Sequence, residues 1–242
     1  MHGVHIGTDV RDLAARLAAA LVEMIAADVG RAGRCALALS GGTTPRRVYE
    51  LLASTHRADI RWDAVHVFWG DERYVPPDDP RSNYRMARET LLNHVPCHAA
   101  NVHPMPTHLA SADDAALQYE QVLRAFFEEE WPRFDILLLG LGADGHMASL
   151  FPASPALQER SRWVVATTVP ATPPVRVTLT PPAIVAARRI CVLVAGADKA
   201  DALRHVLDET ADPTVYPAAG LRAAGDRVSW WADAAAAGTL GP

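Results

Sequence analysis

Cysteine is scarce. Cys35, Cys97 and Cys191 are the only three in 242 residues, odd in number and widely spaced. That excludes a disulfide framework and the common thiolate metal spacings. Cys35 and Cys191 stand inside apolar runs, where a thiol acts as a small core hydrophobe. Lysine is scarcer still: of 23 Lys and Arg residues, Lys199 is the only lysine. Like charges form no block and the net charge is −5, which predicts neither a nucleic-acid footprint nor a polybasic membrane patch. No apolar run approaches the roughly 20 residues that span a bilayer. The N-terminus has no basic region followed by an apolar one, so no signal peptide is expected. These absences predict a soluble, cytoplasmic protein with no nucleic-acid, membrane or obligate protein partner.

What is present is a chain that is 50% hydrophobic, enough for one large α/β domain or two small ones. No linker, repeat or low-complexity segment divides it, so residues 1–242 are read as one domain. Apolar residues at helical spacing (Leu13, Leu17, Leu21, Met24, Ile25) predict a helix over 10–29, capped by Thr8 or Asp9 and ended by Gly30. Short apolar runs at 35–39, 65–69, 134–139 and 190–195 read as buried strands. Helices are predicted from Pro45 to about 53 with Thr43 or Thr44 as cap, from Ser82 to about 92, and from Ser111 to about 130 with Leu117, Val122, Leu123, Phe126 and Phe127 inward. Further strands are read at 162–169, 175–179 and 228–231, and helices from Pro181 and after Lys199. Strands and helices alternate over most of the length. The expected fold is α/β, a doubly wound, mostly parallel, Rossmann-like sheet with helices on both faces and a candidate small antiparallel add-on around 150–180.

The organising stretch runs from Phe134 to His146: a buried strand, a break at Gly140-Leu141-Gly142, then Asp144-Gly145-His146. Open α/β sheets bind ligands outside the carboxyl ends of their strands, which is where Asp144 and His146 fall. His146 is the best general base on offer, because an unperturbed imidazole titrates near pH 6.5. Asp144 is placed to fix its tautomer. His94, His98, His103 and His108 are too irregularly spaced for a metal site.

A second strand exit carries Ser40-Gly41-Gly42-Thr43-Thr44-Pro45. Paired glycines before a helix N-terminus let backbone N–H groups face a phosphate, although the same residues suit an ordinary strand–helix turn. The spacing is neither a Walker loop nor a dinucleotide fingerprint. Two cations could complete an anion pocket. Arg176 lies in a strand pattern and must face solvent or a partner. Lys199 stands near a helix N-terminus, where a cation is misplaced unless an anion joins it. Gly70-Asp71-Glu72-Arg73 follows a third strand exit. It reads first as a solvated turn, with Asp71 and Arg73 as candidates to hold hydroxyls or a reacting carbonyl.

Taken together, Ser40-Gly41-Gly42-Thr43-Thr44-Pro45, Gly70-Asp71-Glu72-Arg73-Tyr74-Val75-Pro76 with Ser82-Asn83-Tyr84, the run from Gly140 to Pro152, Arg176-Val177-Thr178-Leu179 and Gly196-Ala197-Asp198-Lys199-Ala200 resemble the glucosamine-6-phosphate isomerase/6-phosphogluconolactonase family on its lactonase side. The resemblance covers nearly the whole chain, in order. It implies hydrolysis of 6-phospho-D-glucono-1,5-lactone in the oxidative pentose phosphate pathway, a phosphosugar lactone as the only partner, and no metal or organic cofactor. By the same resemblance His146 is the base, Asp144 its neighbouring acid, and Arg73 and Asp71 lie near the ring. Ser40, Gly41, Gly42, Thr43, Arg176 and Lys199 form the phosphate pocket. Met147 departs from the pattern, where the family more often has a small residue, and is expected to affect packing only. The nearest rival is a glucosamine-6-phosphate deaminase/isomerase. Those enzymes follow the Asp-Gly-His motif with a catalytic carboxylate, and Ser149-Leu150-Phe151-Pro152 supplies none. A non-catalytic sugar-phosphate sensor is a rival of another class, weakened by the retention of Asp144 and His146.

Overall fold

The computed structural model describes residues 3–238. Six strands form one all-parallel sheet in the order β1-β9-β8-β5-β2-β3: β1 (Val4–Gly7), β2 (Cys35–Leu39), β3 (Val65–Trp69), β5 (Ile136–Gly140), β8 (Ile190–Val194) and β9 (Val228–Asp233). Every residue of β2 and β8 is buried. Side chains alternate between the two faces of a strand, so both faces are covered, which is why these segments read as unbroken apolar runs. From β2 the chain steps outward to β3; from β5 it steps the other way through β8 and β9. The sheet therefore reverses between β2 and β5, the place where such folds open a crevice.

The second sheet is antiparallel, in the order β4-β7-β6, with β4 (Asp71–Arg73), β6 (Val164–Thr168) and β7 (Val175–Leu179). The expected add-on is thus real, but it also recruits residues 71–73, which read locally as a turn. β4 pairs with β7 about a hundred residues later, in the register Asp71↔Thr178, Glu72↔Val177, Arg73↔Arg176.

The helices are α1 (Val10–Ala32), α2 (Thr43–Ser54), α3 (Asn83–Ala87), α4 (Ala112–Phe127), α5 (Pro181–Val185), α6 (Ala200–Val206) and α7 (Ala234–Ala237). Asp9 caps α1 by accepting from the Arg11 and Asp12 N–H groups, and Gly33, at φ 72°, ends it three residues beyond Gly30. Ser82 and Ser111 cap α3 and α4 as expected. α2 departs from expectation: Gly42 is its cap, Thr43 and Thr44 are its first helical residues, and no side chain satisfies its end. α4 also departs. Leu117 is 61% and Val122 37% exposed, while Ala115, Ala116, Tyr119, Glu120 and Leu123 face inward. Glu120 is drawn in because it accepts from the Trp163 and Val164 N–H groups. No helix among the described residues is long and apolar enough to cross a membrane.

Of the loosely clustered histidines, His103 pairs with His66 on β3, Nε2 to Nδ1 at 3.3 Å, and stacks on Phe68 at 4.5 Å between ring centroids. Burial, then the His66 charge, pushes His103 down to about 4. Burial, then Arg34, lowers His66. The fold therefore keeps this pair neutral, and the unfolded chain takes up protons first as the pH falls. Stability from His103 is full above pH 6.5 and is lost toward pH 4, by about 1 kcal/mol after allowing for its partial exposure. Urea unfolding at pH 7 and pH 4.5 tests this: wild type should lose about that much more than His103→Phe. Equal losses would refute it.

Candidate active site

Residues 40–45 leave β2 at the crevice. A Cβ on Gly41 would sit 2.0 Å from Asn83 Oδ1, so only glycine lets the loop pass this close to α3. Gly42 has φ 111°, a region that other residues rarely adopt. The N–H groups of Gly41, Gly42, Thr43 and Thr44 have no partner among the described residues, and Pro45 has none to offer. Four adjacent positions at a helix N-terminus thus present open donors and the positive end of the dipole.

The cations stand opposite. Arg176 is 6% exposed, so it faces the crevice and not solvent. Its one hydrogen bond runs from Nε to the Pro173 carbonyl, 2.9 Å, and no carboxylate pairs with it among the described residues. Its direct cross-strand neighbour is Arg73. Burial, then the Arg73 charge, lowers the Arg176 guanidinium from its ordinary value. Arg73 gives one N–H to the Arg81 carbonyl at 2.5 Å, while its buried Nε is unpartnered. Lys199 sits in the turn after β8 and reaches Asp198 at 3.1 Å.

Asp71 is buried and held by two donors: Ser149 Oγ at 2.6 Å and Asn83 Nδ2 at 3.4 Å. Beside it Glu72 accepts from the N–H groups of Arg73, Asn83 and Tyr84, each at 2.7 Å, and from Ser82 Oγ at 3.0 Å. Burial pushes the Glu72 carboxyl up to about 7 even though those backbone N–H groups pull the other way. This carboxyl pins α3 against β4.

The acid–base pair lies on the turn after β5. His146 Nδ1 is 2.6 Å from Asp144 Oδ1, which also accepts the His146 backbone N–H at 3.1 Å. Burial raises the Asp144 carboxyl, but the hydrogen bonds and charge of His146 outweigh it and hold the group below its ordinary value. An ionised Asp144 requires the proton on Nδ1, which leaves Nε2 as the basic nitrogen. Phe151 stacks on the imidazole at 3.9 Å. A Cβ on Gly142 would lie 2.0 Å from His146 Nδ1, so the glycine is what lets the pair fold back over its own turn.

One cavity of about 470 Å³ collects these parts, and its lining includes Ser40, Gly41, Gly42, Thr43, Asp71, Arg73, His146, Arg176 and Lys199. Asp144, the remaining candidate, lies behind His146. Asn83 and Ser149 stand within the sequence motifs without a role assigned to them there; both line the cavity beside Asp71. Met147 is buried in the core and lines no part of this cavity.

A crevice lined by two arginines without a carboxylate partner, a lysine and open backbone donors, with an oriented imidazole at its rim, defines an α/β enzyme for a small anionic substrate. The chain belongs to the family of glucosamine-6-phosphate isomerases/6-phosphogluconolactonase, whose profile matches residues 8–230. It is 45% identical over 217 residues to a 6-phosphogluconolactonase of Synechocystis, covering 88% of each chain. It is 44% identical over 224 residues to that of Mycobacterium tuberculosis, covering 90% of each. Among solved structures, the 6-phosphogluconolactonase of Trypanosoma cruzi superposes with a TM-score of 0.89 at 31% identity, covering 100% of this chain and 98% of that one.

Without an anion, Arg176 is a buried charge facing a like charge. Arg176→Met should therefore stabilise the ligand-free protein by about 1 kcal/mol, and it should abolish any rise in Tm on adding inorganic phosphate. A variant that is less stable and still gains Tm with phosphate would disprove the assignment.

Proposed function

We propose that this chain, acting as one domain over residues 1–242, hydrolyses 6-phospho-D-glucono-1,5-lactone to 6-phospho-D-gluconate. The observation that carries this reading is the oriented Asp144–His146 pair on the same cavity as two unpaired arginines. An anion site alone would serve a sensor, and a base alone would have nothing to position. The cavity is of a size for a phosphosugar, and residues 147–152 bring it no second carboxylate.

In this reading the 6-phosphate sits against Arg176, Lys199, the Ser40 turn and the open N–H groups of Gly41, Gly42 and Thr43. That remote binding energy places C1 of the lactone near His146. Nε2 takes a proton from water as the water oxygen bonds to C1. Negative charge moves onto the carbonyl oxygen, where Arg73 stabilises it. The tetrahedral adduct then collapses with cleavage of the bond from C1 to the ring oxygen, which takes the proton from the imidazolium. Asp71, fixed by Ser149 and Asn83, accepts from a ring hydroxyl. Asp144 stabilises the transient imidazolium and holds the tautomer.

The test is a lactonase assay with substrate generated freshly from glucose 6-phosphate, corrected for spontaneous hydrolysis. His146→Ala should lower kcat by at least about 100-fold with little change in KM. Asp144→Asn, which frees the tautomer, should cost about 10- to 100-fold in kcat. Lys199→Ala should mainly raise KM. Near-normal kcat in His146→Ala would remove His146 from the reaction, and no acceleration by folded wild type would discard the lactonase reading.

A further inference from the structure

Two strands that feed the cavity leave a peptide group without a ladder partner where they end. β2 pairs with β3 as far as Leu39 and with β5 as far as Ala38, so Ser40, buried, has passed both neighbours. β3 pairs with β2 up to Trp69, and its outer edge is bridged at Val67 to Val102; Trp69, 1% exposed, lies beyond that bridge. Buried peptide groups need partners, and in both places one tyrosine hydroxyl serves the whole residue. Tyr49 Oη accepts from the Ser40 N–H at 3.0 Å and donates to the Ser40 carbonyl at 2.8 Å. Tyr119 Oη accepts from the Trp69 N–H at 2.9 Å and donates to the Trp69 carbonyl at 3.1 Å.

The two tyrosines come from different helices, α2 and α4, and both are fully buried. Burial raises both phenols above their ordinary value, so each hydroxyl keeps its proton at neutral pH. The two clamped residues lead into different segments, one the 40–45 loop and the other β4. After Ser40 come Gly41, Gly42 and Thr43, the open donors of the phosphate site. After Trp69 and Gly70 comes β4 with Asp71 and Arg73, the groups assigned to the reacting ring.

We propose that Tyr49 and Tyr119 are positioning residues of this active site, each phenol holding the N–H and C=O of the last residue of its strand exit and so setting the direction in which one functional segment enters the cavity. The assignment of a separate kinetic role to each rests on the lactonase reading. Tyr49 governs the loop that binds the distant phosphate; Tyr119 governs the strand exit into β4, whose side chains meet the transition state.

Tyr49→Phe and Tyr119→Phe keep the ring and delete only the hydroxyl. Amide hydrogen exchange should quicken at residue 40 in the first and at residue 69 in the second, while neighbouring strand amides keep their protection. In the lactonase assay Tyr49→Phe should raise KM about 5- to 10-fold with kcat within about twofold. Tyr119→Phe should lower kcat about tenfold with KM within about twofold. A purely structural role would damage both constants alike in both variants, and that result overturns the proposal. Unchanged exchange at residues 40 and 69, or unchanged kinetics, overturns it too. If wild type itself shows no turnover, the lactonase reading fails separately. Calorimetric binding of 6-phosphogluconate then decides the clamp: weaker binding in Tyr49→Phe but not in Tyr119→Phe supports it, and equal affinity in all three proteins rejects it.

Discussion

Arg176 and Arg73 stand opposite each other on adjacent antiparallel strands, and neither guanidinium has a carboxylate partner among the described residues. Like charges facing across a sheet are unfavourable, and a buried guanidinium without a counterion is more so. Nothing in the small sheet requires this arrangement for its own stability, since β7 could pair β4 through apolar residues. The nearby carboxylates form no ion pair with either guanidinium among the described residues, although their charges act on Arg176 against that of Arg73. Asp71 is engaged by Ser149 and Asn83, and Glu72 by four donors on and around α3. The fold thus holds two guanidinium groups at the crevice and engages the nearby acids with other donors. An incoming phosphate finds donors already desolvated and aimed, so little reorganisation opposes binding.

The catalytic pair obeys the opposite logic. His146 and Asp144 satisfy one another within a single turn, and the turn is possible because Gly142 has no side chain. The anion site is assembled from three distant segments, whereas the base and its orienting acid are two residues apart in sequence. The phosphate half therefore depends on the tertiary structure, and the proton-transfer half is largely preorganised by local geometry. Joining them requires only that β5 end beside β2, which the reversal of strand order between them ensures.

This division explains what the sequence made legible. β2 and β3 are read with their observed bounds because strands buried on both faces are continuous apolar runs. The glycine-bounded turns are read because sharp exits need glycine. β4 is three charged or polar residues whose partner lies about a hundred positions away, so no local pattern announces it. Val175-Arg176-Val177-Thr178-Leu179 alternates as a half-exposed strand does, yet Arg176 and Thr178 are 6% and 0% exposed. Arg176 faces the cavity and Thr178 is buried against Ser149, and alternation reports polarity without saying whether the polar side meets solvent or protein. On α4 the same ambiguity misplaced Leu117 and Val122, because Glu120 outcompetes them for the interior through partners on β6 that helical spacing cannot reveal.

The loops that carry function are short, and their freedom is removed at both ends. The 40–45 loop begins at a peptide held by Tyr49 and ends in the helix that bears Tyr49, so the segment is closed on itself. The turn after β5 is closed by Gly142 N–H to the His146 carbonyl at 2.9 Å, and the Gly145 carbonyl accepts the Ala218 N–H at 2.9 Å. In each case backbone bonds fix the segment, and in the 40–45 loop the N–H groups of residues 41–44 are left over. A loop that satisfied itself fully would be more stable and could bind nothing. The α2 terminus, which a Thr43 hydroxyl could have capped, is left open at the cavity. The same uncapped N–H groups that weaken the helix end are the ones available to an anion, so the local cost in stability and the capacity to bind arise from one structural choice.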